Sequence, residues 1–297
     1  MKNDNSRLKR QFTYALALAV IICLLFSEGY KFLRSIGAIG PTFIDDVVNV
    51  EDSTSKENNP TIKASDPDFD PTDYSNTAIT FVDSQNDTIS IPQFDGSSYS
   101  YQVNNGNPYF NDSDLASTDT WHTFSDLDRW GRVGVANAVV GPETLQTNAR
   151  GSLQSFTPSG WEGCKVSLGN GTNTGNQRCE RSHLIANKLL GDASDCTENL
   201  VTGSHDFNAN KDSGMLHWEI QLIDAAEQGY HIRYRVTPVF DEKDSKVAGS
   251  VTPHGVLMEA ESIEDHGNTV KLCEYVYNVE EGWVCDYTNG EWELRQK

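Results

Sequence analysis

The chain has 297 residues, 37% of them apolar, with six tryptophans and a formal net charge of −20. That length holds one large domain or two small ones. The apolar and aromatic content excludes wholesale disorder. The acidity argues against an enzyme that grips nucleic acid through a broadly basic surface.

Lys2, Arg7, Lys9 and Arg10 precede an apolar run over residues 12–26. The run has the length of a signal-peptide core and is short for a membrane span. No small-x-small cleavage site follows it directly, and 37–40 is a weak one. Residues 1–40 therefore read as a signal-anchor or signal peptide, with the uncleaved anchor preferred. Either way, positive charges ahead of the run predict export of the rest. The chain is then expected at the extracellular face of the cell membrane or secreted.

Residues 41–95 read as an acidic flexible linker. Only Lys56 and Lys63 stand there against twelve acids running from Asp45 to Asp95, a composition that solvates rather than folds. Two short apolar pieces, 78–82 and 88–91, can pair as strands at the domain edge. Residues 96–297 read as the folded domain.

Within that domain, 130–140 is apolar and small, suited to a buried element. Pro158-Ser159-Gly160-Trp161 is a turn with an anchoring aromatic. Met215, Leu222, Ile223 and Ala226 recur at helical spacing over 216–226. Residues 231–240 alternate like a strand, and 255–261, 270–277 and 283–287 are three more. Thr288-Asn289-Gly290 is a hairpin turn. The class is mixed α+β, with an antiparallel sheet toward the C-terminus.

Cys23 lies in the N-terminal apolar run; Cys164, Cys179, Cys196, Cys273 and Cys285 lie outside it. Export permits disulfides. Cys273 with Cys285, on neighbouring strands, is one candidate pair. Cys164–Cys179 and Cys179–Cys196 are others, and one thiol is left over. A zinc staple from Cys164, Cys179, Cys196 and a histidine is the rival, but the spacing matches no CxxC pattern.

The chemistry-bearing stretch is Arg178-Cys179-Glu180-Arg181-Ser182-His183, followed by Leu184-Ile185-Ala186. Phosphodiester cleavage needs an activated water, a cation on the developing charge and help for the leaving oxygen. Imidazole titrates near neutral pH, so His183 is the candidate base. Asn199 is expected to orient its ring through the amide oxygen. Asn208 suits a hard cation such as Mg²⁺, which takes oxygen ligands, and Glu219 can hold its waters. Arg181 can contact a phosphate.

Asn208 and Glu219 are eleven residues apart. On one straight helix they would sit about 16 Å apart along the axis. The chain must turn back between them, and Lys211-Asp212-Ser213-Gly214 supplies the break. A second helix beginning near Gly214 would carry Glu219 inward on the apolar face, between Met215 and Leu222. A carboxylate there needs a partner or a metal. His205, His217, His231, His254 and His266 read as structural, and asparagines near Thr202-Gly203-Ser204 are equally at home in turns and caps.

Glu180-Arg181-Ser182-His183-Leu184-Ile185 resembles the Asp-Arg-Gly-His motif of the DNA/RNA non-specific endonucleases, which have the ββα-metal fold. Among them the chain looks most like bacterial membrane-anchored or secreted DNA-entry nucleases. The likeness runs from about residue 99 to the C-terminus. It includes 127–140, the turn at Pro158, Asn199-Leu200-Val201-Thr202, Asn208, Glu219 and the strand from Arg233. The resemblance implies an antiparallel central sheet flanked by helices, with the histidine on the ββα motif. It implies His183 as general base, Asn208 as direct Mg²⁺ ligand (with Mn²⁺ as substitute) and Glu219 as the carboxylate holding the ion's hydration water. Arg181 matches the motif arginine, and Asn199 an asparagine beside the site.

Two positions depart from the motif: Glu180 replaces its aspartate and Ser182 its glycine. Serine fits there only if the backbone does not need positive φ. The first functional reading is an exported Mg²⁺-dependent endonuclease of DNA, with RNA as a further substrate. The second is a surface nucleic-acid-binding or interaction protein on a decayed nuclease scaffold, and the third is a zinc-stapled structural domain. Setting aside the linker and N-terminus, the domain keeps a charge of about −14. Substrate binding is therefore expected to be weak, metal-dependent and confined to a local basic track of Arg178, Arg181, Arg233 and Arg235.

Overall fold

The computed structural model describes residues 79–82, 88–148, 151–168, 179–241 and 249–294. The N-terminal apolar run, most of the acidic linker and Arg178 lie outside the described residues. Among those described, no helix is long and apolar enough to cross a membrane.

Short hydrophobic segments open the described chain as a hairpin, β1 (Ile79–Val82) with β2 (Thr88–Ile91). Three strands follow: β3 (Ser100–Gln102), β4 (Trp121–Phe124) and β5 (Ala136–Val140). Next come α1 (Trp161–Leu168), β6 (Cys179–His183) and α2 (Asn187–Leu190). Strand β7 (Leu200–Ser204) runs directly into α3 (His205–Ala209), and α4 (Met215–Glu227) follows. The C-terminal part is all strand: β8 (Ile232–Val239), β9 (Gly255–Ser262), β10 (Lys271–Tyr277), β11 (Trp283–Asp286) and β12 (Glu291–Leu294). The expected helix and strands all form.

Six strands make an antiparallel sheet in the order β3-β10-β9-β8-β5-β4. Side chains alternate across a sheet, so each strand feeds two cores. On one face Ile232, Tyr234, Val236, Val256, Met258 and Ala260 meet Leu222, Ala225 and Ala226 of α4. On the other, Leu257, Cys273, Tyr275 and Tyr277 are covered by Ile89, Ile91, Phe94 and Val103. The first hairpin and Phe94 thus belong to the packed structure. Strand β8 alternates in chemistry but is buried along most of its length, because both faces of the sheet are covered.

Two smaller units complete the domain. Strands β11 and β12 form a hairpin around the Asn-Gly turn, with Gly290 at φ +81°. Helix α1 packs against it, closely enough that a Cβ on Gly163 would come 2.4 Å from the Asn289 carbonyl. Trp161, Cys164, Cys179, Cys285, Tyr287 and Trp292 form their shared core. The second unit is the β6–β7 hairpin, registered Glu180↔Gly203 through His183↔Leu200.

Cys164 and Cys179 form a disulfide, one of the candidate pairings. It ties α1 to the first residue of β6. The pairing of Cys273 with Cys285 does not occur. Neither thiol is in a disulfide, and they sit in different cores, Cys273 in the main sheet and Cys285 beneath the small hairpin. The disulfide consumes two members of the zinc rival. Among the described residues no group of three His, Cys, Asp or Glu side chains is arranged to hold a metal.

Candidate active site

The β6–β7 hairpin hands its chain to α3, and α3 packs on β6, β7 and α4. This strand-strand-helix unit carries His183 and Asn208, and α4 adds Glu219. Alternation along β6 puts Arg181 and His183 on one side of the strand and Glu180 and Ser182 on the other.

Helix α3 is short because its start and stop are both specified. The Ser204 hydroxyl caps it by accepting from the Phe207 amide at 3.1 Å, as N-cap serines do. Asn210 leaves helical geometry at its end. The chain then doubles back through Gly214, where a Cβ would lie 2.6 Å from the Asp206 carbonyl. Helix α4 begins at Met215, as the break at 211–214 predicts. Asn208 and Glu219 therefore sit on separate, mutually packed helices. Glu219 is 7% exposed, between Met215 and Leu222 on the core side.

His183 ends β6 and is 7% exposed. Its Nε2 lies 2.9 Å from Asp195 Oδ1. Asn199 does not orient the ring. It is fully buried, and its Oδ1 accepts from the Ile185 amide at 3.0 Å. Its Nδ2 donates to the carbonyls of Ile185 and Ser194, each at 2.9 Å. The asparagine is a clamp. Spending both ends of its amide on backbone fixes the turn after His183 against the loop that carries Asp195.

Arg181 lies over Trp161, with Cζ 3.7 Å from the ring centroid. Its Nε donates to the Phe156 carbonyl at 2.6 Å. That leaves the outer guanidinium edge uncommitted among the described residues. Burial lowers the Arg181 pKa, opposed by the negative charge of Glu162.

Arg233 and Arg235 do not join this group. Their β8 neighbours Ile232, Tyr234 and Val236 face the α4 side, so the two arginines face the other. Arg235 forms a two-pronged pair with Glu259, 2.7 Å at each contact. Arg233 donates to the carbonyls of Ala138 and Tyr234 and to Asn137. Both are buried structural ties, which removes them from the expected substrate track. Alternating strand chemistry cannot tell a buried arginine pair from a solvent-facing one when both faces are covered.

The two departures from the motif have local explanations. Ser182 sits in regular strand; among the described residues the non-glycine residues with positive φ are Asn104, Asn105 and His266. Its hydroxyl is buried against Gly203 across the hairpin, without a hydrogen-bond partner among the described residues. Glu180 reaches His205 Nδ1 at 3.1 Å, joining β6 to the first residue of α3. The remaining structural histidines include His254, paired with Asp241, and His231, held between Glu143 and Glu264.

Mg²⁺ fits the donor set. Asn208 is half-buried, and no described residue takes its carboxamide. Glu219 supplies a buried carboxylate on the adjoining helix. Amide and carboxylate oxygens with room for water are the ligands this ion prefers. Tyr234 is fully buried, and burial, with the charge of Glu219 second, pushes its hydroxyl well above the ordinary tyrosine value.

Comparison with known proteins agrees with this fold. No curated protein sequence matches the chain. NucA from Streptococcus agalactiae, solved without metal and with a magnesium ion bound, shares the fold at 23% identity and a TM-score of 0.54. That match covers 66% of this chain and 87% of NucA. The Sda1 nuclease, solved with a bound zinc ion, matches at 21% identity and a TM-score of 0.50, covering 67% of this chain and 97% of the other. The DNA/RNA non-specific endonuclease model matches residues 113–261, half of the chain and the span that holds β6, β7, α3 and α4. The chain belongs to the DNA/RNA non-specific endonuclease family.

Proposed function

We propose that the protein is an exported, Mg²⁺-dependent, sequence-nonspecific endonuclease acting on DNA, with RNA as a further substrate. The observation that carries this reading is the packing of three elements: β6 ends in His183, α3 presents an uncommitted Asn208, and α4 buries Glu219. Magnesium solved in NucA supports the choice of ion.

Asn208 would hold the cation directly, and Glu219 would anchor its hydration shell. The bound ion would supply positive charge to the phosphoryl oxygens as negative charge grows on them. His183 takes a proton from the attacking water through Nδ1. The water oxygen bonds to phosphorus as one P–O ester bond breaks, and the leaving oxygen takes a proton from solvent water. Arg181 donates its free guanidinium edge to a phosphate oxygen, with Trp161 fixing the plane of the fork.

A decayed scaffold is the weaker reading. It rests on Glu180 and Ser182, yet Ser182 fits a regular strand and Glu180 has a partner in His205. Plasmid nicking by the full chain decides between the two. Activity is expected with Mg²⁺ and not with EDTA, and His183→Ala is expected to lose about 10²–10⁴-fold. A wild-type protein that nicks equally well in EDTA, or not at all with Mg²⁺, would refute the proposal.

A further inference from the structure

We infer that Asp195 is a positioning residue that holds His183 in the tautomer a base requires. The inference rests on the reading of His183 as general base and adds a residue to it. Asp195 lies twelve positions after His183 in the loop between α2 and β7, outside the motif stretch.

Three polar groups crowd one oxygen, Asp195 Oδ1, and the Asn187 amide donates to it. His183 Nε2 lies 2.9 Å away, Asn187 Nδ2 3.2 Å and Ser194 Oγ 3.3 Å. Asn187 has hydrogen to give and is 7% exposed, so it cannot swing away without losing its bonds to Gly191 and Ser194. A carboxylate oxygen that already accepts from an amide is an acceptor toward imidazole as well. The ring hydrogen is therefore on Nε2, and the lone pair is on Nδ1. That leaves Nδ1 as the nitrogen able to take a proton from water. The developing imidazolium then faces a carboxylate, which favours the transfer.

The carboxylate is itself held in place. Ser194 donates back to the Gly191 carbonyl at 2.8 Å. Asn199 bonds the Ser194 and Ile185 carbonyls, so one buried amide fixes both the loop of Asp195 and the turn leaving His183. Leu184 donates its amide to the Asn199 carbonyl at 2.8 Å, closing the same turn. The loop brings this acid to the base through contacts that no regular spacing announces.

The test uses the full chain labelled with ¹⁵N-histidine, with the His183 ring signals assigned by their loss in His183→Ala. In the wild type at alkaline pH, Nε2 should give the protonated signature and Nδ1 the lone-pair signature. Asp195→Asn keeps the shape but can donate to Nε2, so the signatures should exchange or mix. Its kcat on plasmid DNA should fall, by up to about the 10⁴-fold lost when the acid of a Ser-His-Asp triad is neutralised, with KM within about threefold. Asp195→Glu should recover part of the loss. A wild-type ring protonated on Nδ1 overturns the inference, and this measurement needs no variant to fold. Asp195→Asn with wild-type kcat and ring signals also overturns it. A fully active His183→Ala would instead strike the assignment of the base, a separate failure because Asp195 is intact in that variant.

Discussion

At the residue scale, Ser182 shows why a motif must be weighed against its backbone. The sequence raised one concern, a serine where glycine might be needed for positive φ. Strand geometry removes that concern and exposes another, a buried hydroxyl with no partner among the described residues. An unsatisfied buried polar group costs about 1–3 kcal/mol. Ser182→Ala is therefore expected to gain roughly 1 kcal/mol of stability in urea melts while turnover is kept. A loss of stability would mean that the hydroxyl is bonded. The same scale explains what the sequence hid. His183, Asn208, Glu219 and Arg181 stood out in the sequence because their residue types match a chemistry and a spacing, and the fold sets them on adjoining elements, their roles being those proposed. Asp195 did not, because its role comes from a loop that folds back over the hairpin. Asn199 was visible but misassigned: its type suggested a ring partner, and its complete burial made it a backbone clamp. Arg233 and Arg235 were expected in a basic substrate track, and the second covered sheet face consumed them.

Among elements, the β6–β7–α3 unit depends on what holds β6 at its two ends. Asn199 clamps the chain beyond His183. At the other end, the Cys164–Cys179 disulfide ties β6 to α1, the helix whose Trp161 supports Arg181. The cysteines span a separation of 15 residues, and a loop of that size corresponds to about 3 kcal/mol of stabilisation. A Cys164→Ser/Cys179→Ser double variant should lose about that much in denaturant melts. Its KM for DNA should also rise more than its kcat falls, because Arg181 loses its support while His183 keeps its own. A variant with unchanged KM would separate the disulfide from Arg181. Trp161→Ala should reproduce the KM effect with the disulfide intact. Helix α4 and the C-terminal strands were readable from periodicity. The pairing of the cysteines was not, because it depends on which hairpin packs on α1.

Across the whole molecule, strand order was the hidden quantity: β5 and β3 join partners more than ninety residues ahead in the chain. This closure leaves Glu274 buried in the sheet. Burial pushes its carboxyl up from 4.5 to about 7, opposed by a hydrogen bond from Gln102. A folded-state pKa above the unfolded value means the fold prefers the protonated acid. The resulting stability is fully present below pH about 4.5 and fades as pH rises through about 7. Glu274→Gln should therefore be roughly 1–3 kcal/mol more stable than wild type at pH 8 and close to it at pH 4.5. Equal melts at both pH values would show that the carboxyl is solvated. Charge is the other property of the whole. A net −20 and two arginines withdrawn into the core leave few cations to displace ions from DNA. With about two phosphate contacts, log KM should rise with log salt at a slope of only about 2. Arg181→Ala should reduce that slope by about one and weaken binding evenly across sequences. A wild-type slope of about six would mean about that many phosphate contacts, and it would refute capture through Arg181 and the cation alone.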